Sequence, residues 1–212
     1  MLIMKKIVRK KHLEMELQKI PPHPKPKVEF EQYSTPAVIA ADLLWNALSL
    51  GDVSGKNILD LGCGCGIFGI GASLLDAGSV MGVDIDEDSI EIARKTSSDF
   101  GINNIAFECC DVSRFESDYS ADTVFQNPPF GSQLMSDDGA DLNFVLKSYE
   151  LHPDVLYSFH MASTRDFLLD FYDKTGFTVT HLFEYDFPIP RIYDFHRADS
   201  KNVAVIVVRG VI

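Results

Sequence analysis

The segment Asn127-Pro128-Pro129-Phe130 suits an uncommon task, making a planar amino nitrogen attack a carbon electrophile. Such a nitrogen is a poor nucleophile because its lone pair is delocalised. To react it must rehybridise, and its two hydrogens need acceptors. The side-chain oxygen of Asn127 is one acceptor, and the backbone carbonyl of Pro128 is the other. Two successive prolines fix φ and keep Asn127 out of the helical region, so both acceptors are held in advance. Phe130 can stack on a planar substrate and hold it in line. No general base is required, since the alkylated nitrogen can lose its proton to water. Taken alone, a Pro-rich turn closing a strand has the same composition.

The second group of residues is Asp60-Leu61-Gly62-Cys63-Gly64-Cys65-Gly66. Glycines let the backbone turn sharply and approach a ligand. Gly64, Gly66 and Gly69 also satisfy the dinucleotide fingerprint, with Asp84 at the distance expected for a ribose acceptor. This loop alone does not separate a nicotinamide enzyme from a methyltransferase. Three carboxylates favour the second. Asp60 would repel a pyrophosphate, but it can orient the ammonium of a methionine moiety. Asp84 is placed to accept both ribose hydroxyls. Asp111 can accept from an adenine amino group, with the Val112 N–H offered to a ring nitrogen. Any one of these Asp residues could equally be a helix cap or turn residue. Three at consecutive strand ends point to S-adenosylmethionine.

These residues need a scaffold that brings strand ends together, and the chain alternates strands with helices. Strands are expected at Asn57–Leu61, 79–83, Ile105–Cys109, Thr123–Gln126 and 155–160. Helices are expected over residues 66–77, 87–100, 141–151 and 163–175, the last stopped by Gly176. Two longer β-rich stretches follow at 177–186 and 203–209, around a Pro-containing loop. The expected fold is α/β and Rossmann-like: a mostly parallel seven-stranded sheet with helices on both faces. Ligands then sit beyond the carboxyl ends of the strands. Residues 1–20 can form an amphipathic helix through Leu13, Leu17 and Ile20, and 21–27 read as a stiff Pro-rich linker. The expected organisation is a basic arm and linker over 1–27 and a methyltransferase domain over 28–212.

Charge is unevenly placed. Residues 1–27 carry a net +6, whereas the whole chain carries −12, leaving the body at −18. An acidic body argues against free-standing, tight nucleic-acid binding; the arm or a partner would have to supply positive charge. Cys63/Cys65 and Cys109/Cys110 lack the spacing of a zinc or redox site, so they read as buried free thiols and no metal is expected. Neither a secretory signal nor a bilayer-long apolar run is evident, and a cytoplasmic protein is the default expectation.

With these motifs in hand, the chain resembles class I methyltransferases of the N6-adenine and N5-glutamine type. More narrowly it resembles the methyltransferase-like protein 5 family, whose eukaryotic members modify an adenine of small-subunit ribosomal RNA. The resemblance rests on Glu31-Gln32-Tyr33-Ser34-Thr35, the glycine loop, Asp84-Ile85-Asp86-Glu87-Asp88, Asp111-Val112 and Asn127-Pro128-Pro129-Phe130-Gly131, and leaves residues 1–20 outside. It implies that Gln32, Tyr33 and Thr35 fold over the cofactor. It also implies that Asp60, Gly62, Gly64, Asp84, Ile85, Asp111, Val112 and Asn127 bind it, and that residues 127–130 hold the adenine. His160, Arg165 and His196, with Arg191 and Arg197, become candidates for RNA contact. A small zinc-binding activator protein is implied as partner. Two departures stand out: Ser34 replaces a proline, and Gln133 stands where a lysine is common, ahead of an acidic stretch ending at Gly139. Glutamine methylation on a translation factor is the alternative, although Phe130 stands where those enzymes usually carry tyrosine.

Overall fold

The computed structural model describes residues 7–27, 32–130, 139–190 and 200–212. Its thirteen main elements run in chain order as α1 (Lys10–Leu17), α2 (Ala37–Ser49), β1 (Asn57–Leu61), α3 (Ile67–Leu74), β2 (Ser79–Asp84), α4 (Glu87–Asp99), β3 (Ile105–Cys109), β4 (Thr123–Gln126), α5 (Ala140–Glu150), β5 (Val155–Met161), α6 (Arg165–Thr175), β6 (Thr178–Pro190) and β7 (Ser200–Val211). The strands form one seven-stranded sheet in the order β3-β2-β1-β4-β5-β7-β6. β1 to β5 pair in parallel. β7 runs antiparallel to both β5 and β6, so the sheet is mixed. β6 and β7 can pair as antiparallel neighbours without the crossover helix that a parallel pair needs.

The central strands alternate their side chains between two apolar cores. One core gathers Leu13 and Leu17 of α1, Leu43 and Leu44 of α2, Phe68 of α3, and Phe125 and Tyr157 from the sheet. The other gathers Leu59 and Leu61 of β1, Val145 of α5, and Leu168 and Tyr172 of α6. Helices therefore cover both faces.

Two features depart from the sequence expectations. α2 was not anticipated, although Pro36 followed by Ala37-Val38-Ile39-Ala40-Ala41 is a reasonable helix start; it buries Ile39, Leu43, Leu44 and Ala47. The N-terminal segment is not a free arm either. Leu13 and Leu17 are fully buried against α2 and α3, so α1 packs into the core. Its charge is partly spent internally, because Lys10 pairs with Asp42 at 2.6 Å and Lys27 pairs with Asp86. Among the described residues, no helix is long and apolar enough to cross a membrane. If α1 belongs to the core, Leu13→Ala should cost about 2–5 kcal/mol in chemical denaturation; a change below about 0.5 kcal/mol would mean that the helix is a loosely attached appendage.

Candidate cofactor and substrate site

The alternation of β1 sets the first part of the site. Ile58 joins the α1–α3 core and Leu59 and Leu61 the opposite one, so Asp60 must face α3. Its Oδ2 accepts from the Gly69 N–H of α3 at 2.8 Å, and the side chain is 1% exposed. The chain then leaves the strand through Gly62, Gly64 and Gly66, with φ of 68°, 51° and 84°. Any other residue would be strained at these values. At Gly62 a Cβ would also stand 3.0 Å from the ring of Phe144. The N–H groups of Gly62 and Cys63 donate to the Val83 carbonyl, and that of Gly64 donates to Asp84 Oδ2 at 2.7 Å.

Beyond these strand ends lies a cavity of about 430 Å³, within the usual range for small-molecule sites. Gly62 and Gly64 line it from β1, Asp84 and Ile85 from β2, Asp111 and Val112 from β3, and residues 127–130 from β4. Gln32, Tyr33 and Thr35 close it from the N-terminal side. Burial raises the Asp84 carboxyl above its ordinary range, against the hydrogen bonds from Asp86 and Gly64. Asp111 also caps a short turn, with Oδ1 accepting from the Ser113 hydroxyl at 2.8 Å and its N–H at 2.9 Å. Those bonds lower its carboxyl. Turn and wall roles coexist here, because a carboxylate offers roughly four acceptor positions.

Asn127 has two different amide ends. Its Nδ2 donates to Thr35 Oγ1 at 3.0 Å, which fixes the plane of the group. Its Oδ1 is buried and has no hydrogen-bond partner among the described residues. An unpaired buried carbonyl costs roughly 1–3 kcal/mol and calls for an explanation. Phe130 lines the same cavity and meets Phe187 edge-on, ring centres 6.2 Å apart.

The other expected site residues lie in different surroundings. Asp60 does not line the cavity; it ties the end of β1 to α3 through the Gly69 N–H. His160 is fully buried, with Nδ1 2.8 Å from Asp141 and Nε2 3.0 Å from the Tyr172 hydroxyl, so it offers no surface to RNA. Strand alternation could have signalled this, since His160 shares a face with Leu156 of the α5–α6 core. Arg165 is exposed at the start of α6, 3.9 Å from Glu184 and away from the cavity wall. His196, Arg191, Arg197 and Gln133 lie outside the described residues, as does all of the acidic stretch before Gly139. The four cysteines are free, but only Cys63 is buried; Cys109 is exposed. Burial lifts the Cys63 thiol well up, and burial with the charges of Asp84 and Asp86 takes Cys65 to about 11. Neither is a thiolate nucleophile at neutral pH. Sequence reasoning missed Pro21, Pro22 and His23, which reach the cavity although Pro-rich composition reads as linker, and Phe144, which no motif marks.

Comparisons with known proteins agree with this geometry. A family model described as a methyltransferase domain matches residues 52–161. The rRNA N6-adenosine-methyltransferase METTL5 of Danio rerio is 36% identical over 94% of this chain and 97% of its own length. An uncharacterized protein of Methanocaldococcus jannaschii is 34% identical over 96% of the chain and 94% of its own length. These matches extend well into residues 1–20, beyond the span that the motifs suggested. A Pyrococcus horikoshii protein, whose crystal structure is described as a candidate RNA methyltransferase, superposes with a TM-score of 0.87. It is 39% identical over 97% of this chain and 98% of that one.

Asp60 carries a pH prediction. Burial pushes its carboxyl up to about 7, the Gly69 N–H opposes this, and the Asp84 charge adds to it. The folded value lies above the ordinary one, so this group's contribution to stability is present at low pH and lost as pH rises through about 7. Chemical denaturation should therefore show wild type losing stability as pH rises through about 7, and Asp60→Asn should flatten that part of the profile.

Proposed function

Because this chain belongs to the methyltransferase family that includes the rRNA N6-adenosine-methyltransferases, we propose that it methylates the exocyclic N6 of an adenine in RNA, with small-subunit ribosomal RNA as target. S-adenosylmethionine is the cofactor, and the cavity suits it. Asp84 meets ribose hydroxyls, Asp111 and the Val112 N–H meet the adenine edge, and Ile85 flanks the flat ring. Gln32 and Thr35 cover the methionine end, with Asp60 behind the loop. When bound, the cofactor supplies an electrophilic sulfonium methyl group.

The observation that carries the reading is the unpartnered Asn127 Oδ1, held in place through Thr35. It accepts one hydrogen of the substrate amino group and draws the nitrogen lone pair out of the ring. The Pro128 carbonyl takes the other hydrogen, and Phe130 stacks on the base. Because the acceptors are fixed before substrate arrives, little reorganisation opposes the reaction. The proton that leaves the methylated nitrogen passes to water.

The proposal extends to a partner. A body of net charge −18 gains little from phosphate neutralisation, and a small zinc-binding activator protein would supply positive surface. The test is tritiated methyl transfer to total RNA and total protein from cells lacking the gene. Label should appear as N6-methyladenosine in RNA, and Asn127→Ala should reduce kcat by about 100- to 1,000-fold. Label in protein glutamine, with RNA blank, would replace this reading with amide methylation. Label that appears only after adding the activator would assign the RNA-binding surface to the complex.

A further inference from the structure

Asp86 is 2% exposed at the start of α4, and none of the chemistry above uses it. Its carboxylate is heavily engaged. Oδ1 receives the Lys27 ammonium. Oδ2 accepts from Gln32 Nε2 at 2.8 Å and from the Ser89 hydroxyl at 2.9 Å. His23 Nε2 stands 3.1 Å from Oδ2 without making a hydrogen bond to it. Three of these four partners, Gln32, Lys27 and His23, come from the N-terminal segment, far earlier in the chain.

That segment forms a wall of the cavity. Leu17, Gln18, Ile20, Pro21, Pro22 and His23 all line it, as does Gln32. Apolar packing of Leu13 and Leu17 holds one end of the wall. Asp86 holds the other. It orients Gln32 completely: Nε2 donates to Asp86 while Oε1 accepts from the Lys27 N–H at 2.8 Å. The backbone of Asp86 faces the opposite wall, because its N–H donates to Asp84 Oδ1 at 2.9 Å. One residue thus joins the N-terminal wall to the carboxylate assigned to the ribose.

The same place has the donor set of a cation site, since His23, Asp86 and Asp88 offer ligand atoms within 4.8 Å of one another. Lys27 already answers that need: its ammonium contacts Asp86 and lies 3.5 Å from Asp88. Burial alone would push the Asp86 carboxyl up, but the bonds from Lys27, Gln32 and Ser89 outweigh it and bring it to about 2. The latch is therefore anionic at any physiological pH.

We infer that Asp86 is a positioning residue for the cofactor, a buried latch that closes the N-terminal wall over S-adenosylmethionine and sets Gln32 beside Asp84. The inference rests on the cavity being the cofactor site and not on the identity of the methyl acceptor. It is tested with the full chain by calorimetric titration of S-adenosylmethionine and of S-adenosylhomocysteine into wild type, Asp86→Asn, Lys27→Met and the double variant. Asp86→Asn keeps the volume and the acceptor for Ser89, and Lys27→Met changes a side chain that is 38% exposed, so both should fold.

Each single variant should weaken cofactor binding about tenfold or more. The double variant should be no worse than the weaker single one, as expected for groups that act as a unit. The loss should appear in KM for S-adenosylmethionine and not in kcat at saturating cofactor. Binding within twofold of wild type in both single variants, or a fall in kcat with unchanged affinity, would overturn the inference. Failure of wild type to bind either compound would instead remove the cofactor site itself, an outcome distinct from a failed latch.

Discussion

The arrangement of the site depends on β1 and β4 lying side by side in parallel and in register. Leu61 pairs with Gln126, so the glycine loop and Asn127 leave the sheet at the same level. β2 and β3 continue the row on the other side of β1, and Asp84 pairs with Cys109 just ahead of Asp111. Because the chain runs outward from β1 to β3 and then returns to β4 on the other side, a crevice opens at the reversal. A one-residue slip in the β1–β4 pairing would turn Asp60 and Gln126 to the wrong faces. The site is therefore a consequence of register before it is a set of side chains.

Register is held partly by apolar packing and partly by buried polar groups that find partners. Behind the loop at residues 127–130, Gln126 Nε2 donates to Ser158 Oγ at 2.9 Å and Ser148 Oγ donates to Gln126 Oε1 at 2.7 Å. His160 bridges Asp141 and Tyr172 on the same face. At the other end of the sheet, Arg209 of β7 makes a two-pronged contact with Asp52 at 2.8 and 3.0 Å, and the Tyr157 hydroxyl donates to the same carboxylate at 2.6 Å. Each of these groups would be costly to bury alone, so together they select one pairing of the strands. Asn127 Oδ1 breaks the pattern, and it does so at the cavity wall, where a ligand can complete it.

The N-terminal segment shows how composition can mislead about position. Its prolines and lysines read as an arm in solvent, but in the folded protein Pro21 and Pro22 line the cavity and Leu13 and Leu17 enter the core. Pro21 and Pro22 cannot continue α1, so the chain turns there and crosses the cavity. Lys27 and Lys10 face carboxylates of the acidic body. Part of the charge that seemed available for nucleic acid is consumed within the chain, which sharpens the case for a partner that brings its own.

Much of this was legible in the residues themselves. Glycines at positive φ, carboxylates at successive strand ends and two prolines after an asparagine are local demands of backbone and chemistry, and they named the cavity's lining at Gly62, Asp84, Asp111 and Asn127. Strand and helix periods located twelve of the thirteen elements, with the bounds of α1 the least accurate: residues 1–20 were expected and Lys10–Leu17 is observed. What the sequence could not decide was which local groups would meet. His160 looked like a surface contact until β5 turned it toward α6. Asp60 looked like a ligand until the alternation of β1 turned it toward Gly69. Asp86 stood in the sequence only as part of the Asp84–Asp88 stretch, and the fold alone brings His23, Lys27 and Gln32 to it. Local physics fixes a residue's conformational and chemical needs; its partners are set by long-range packing, which no short window of sequence contains.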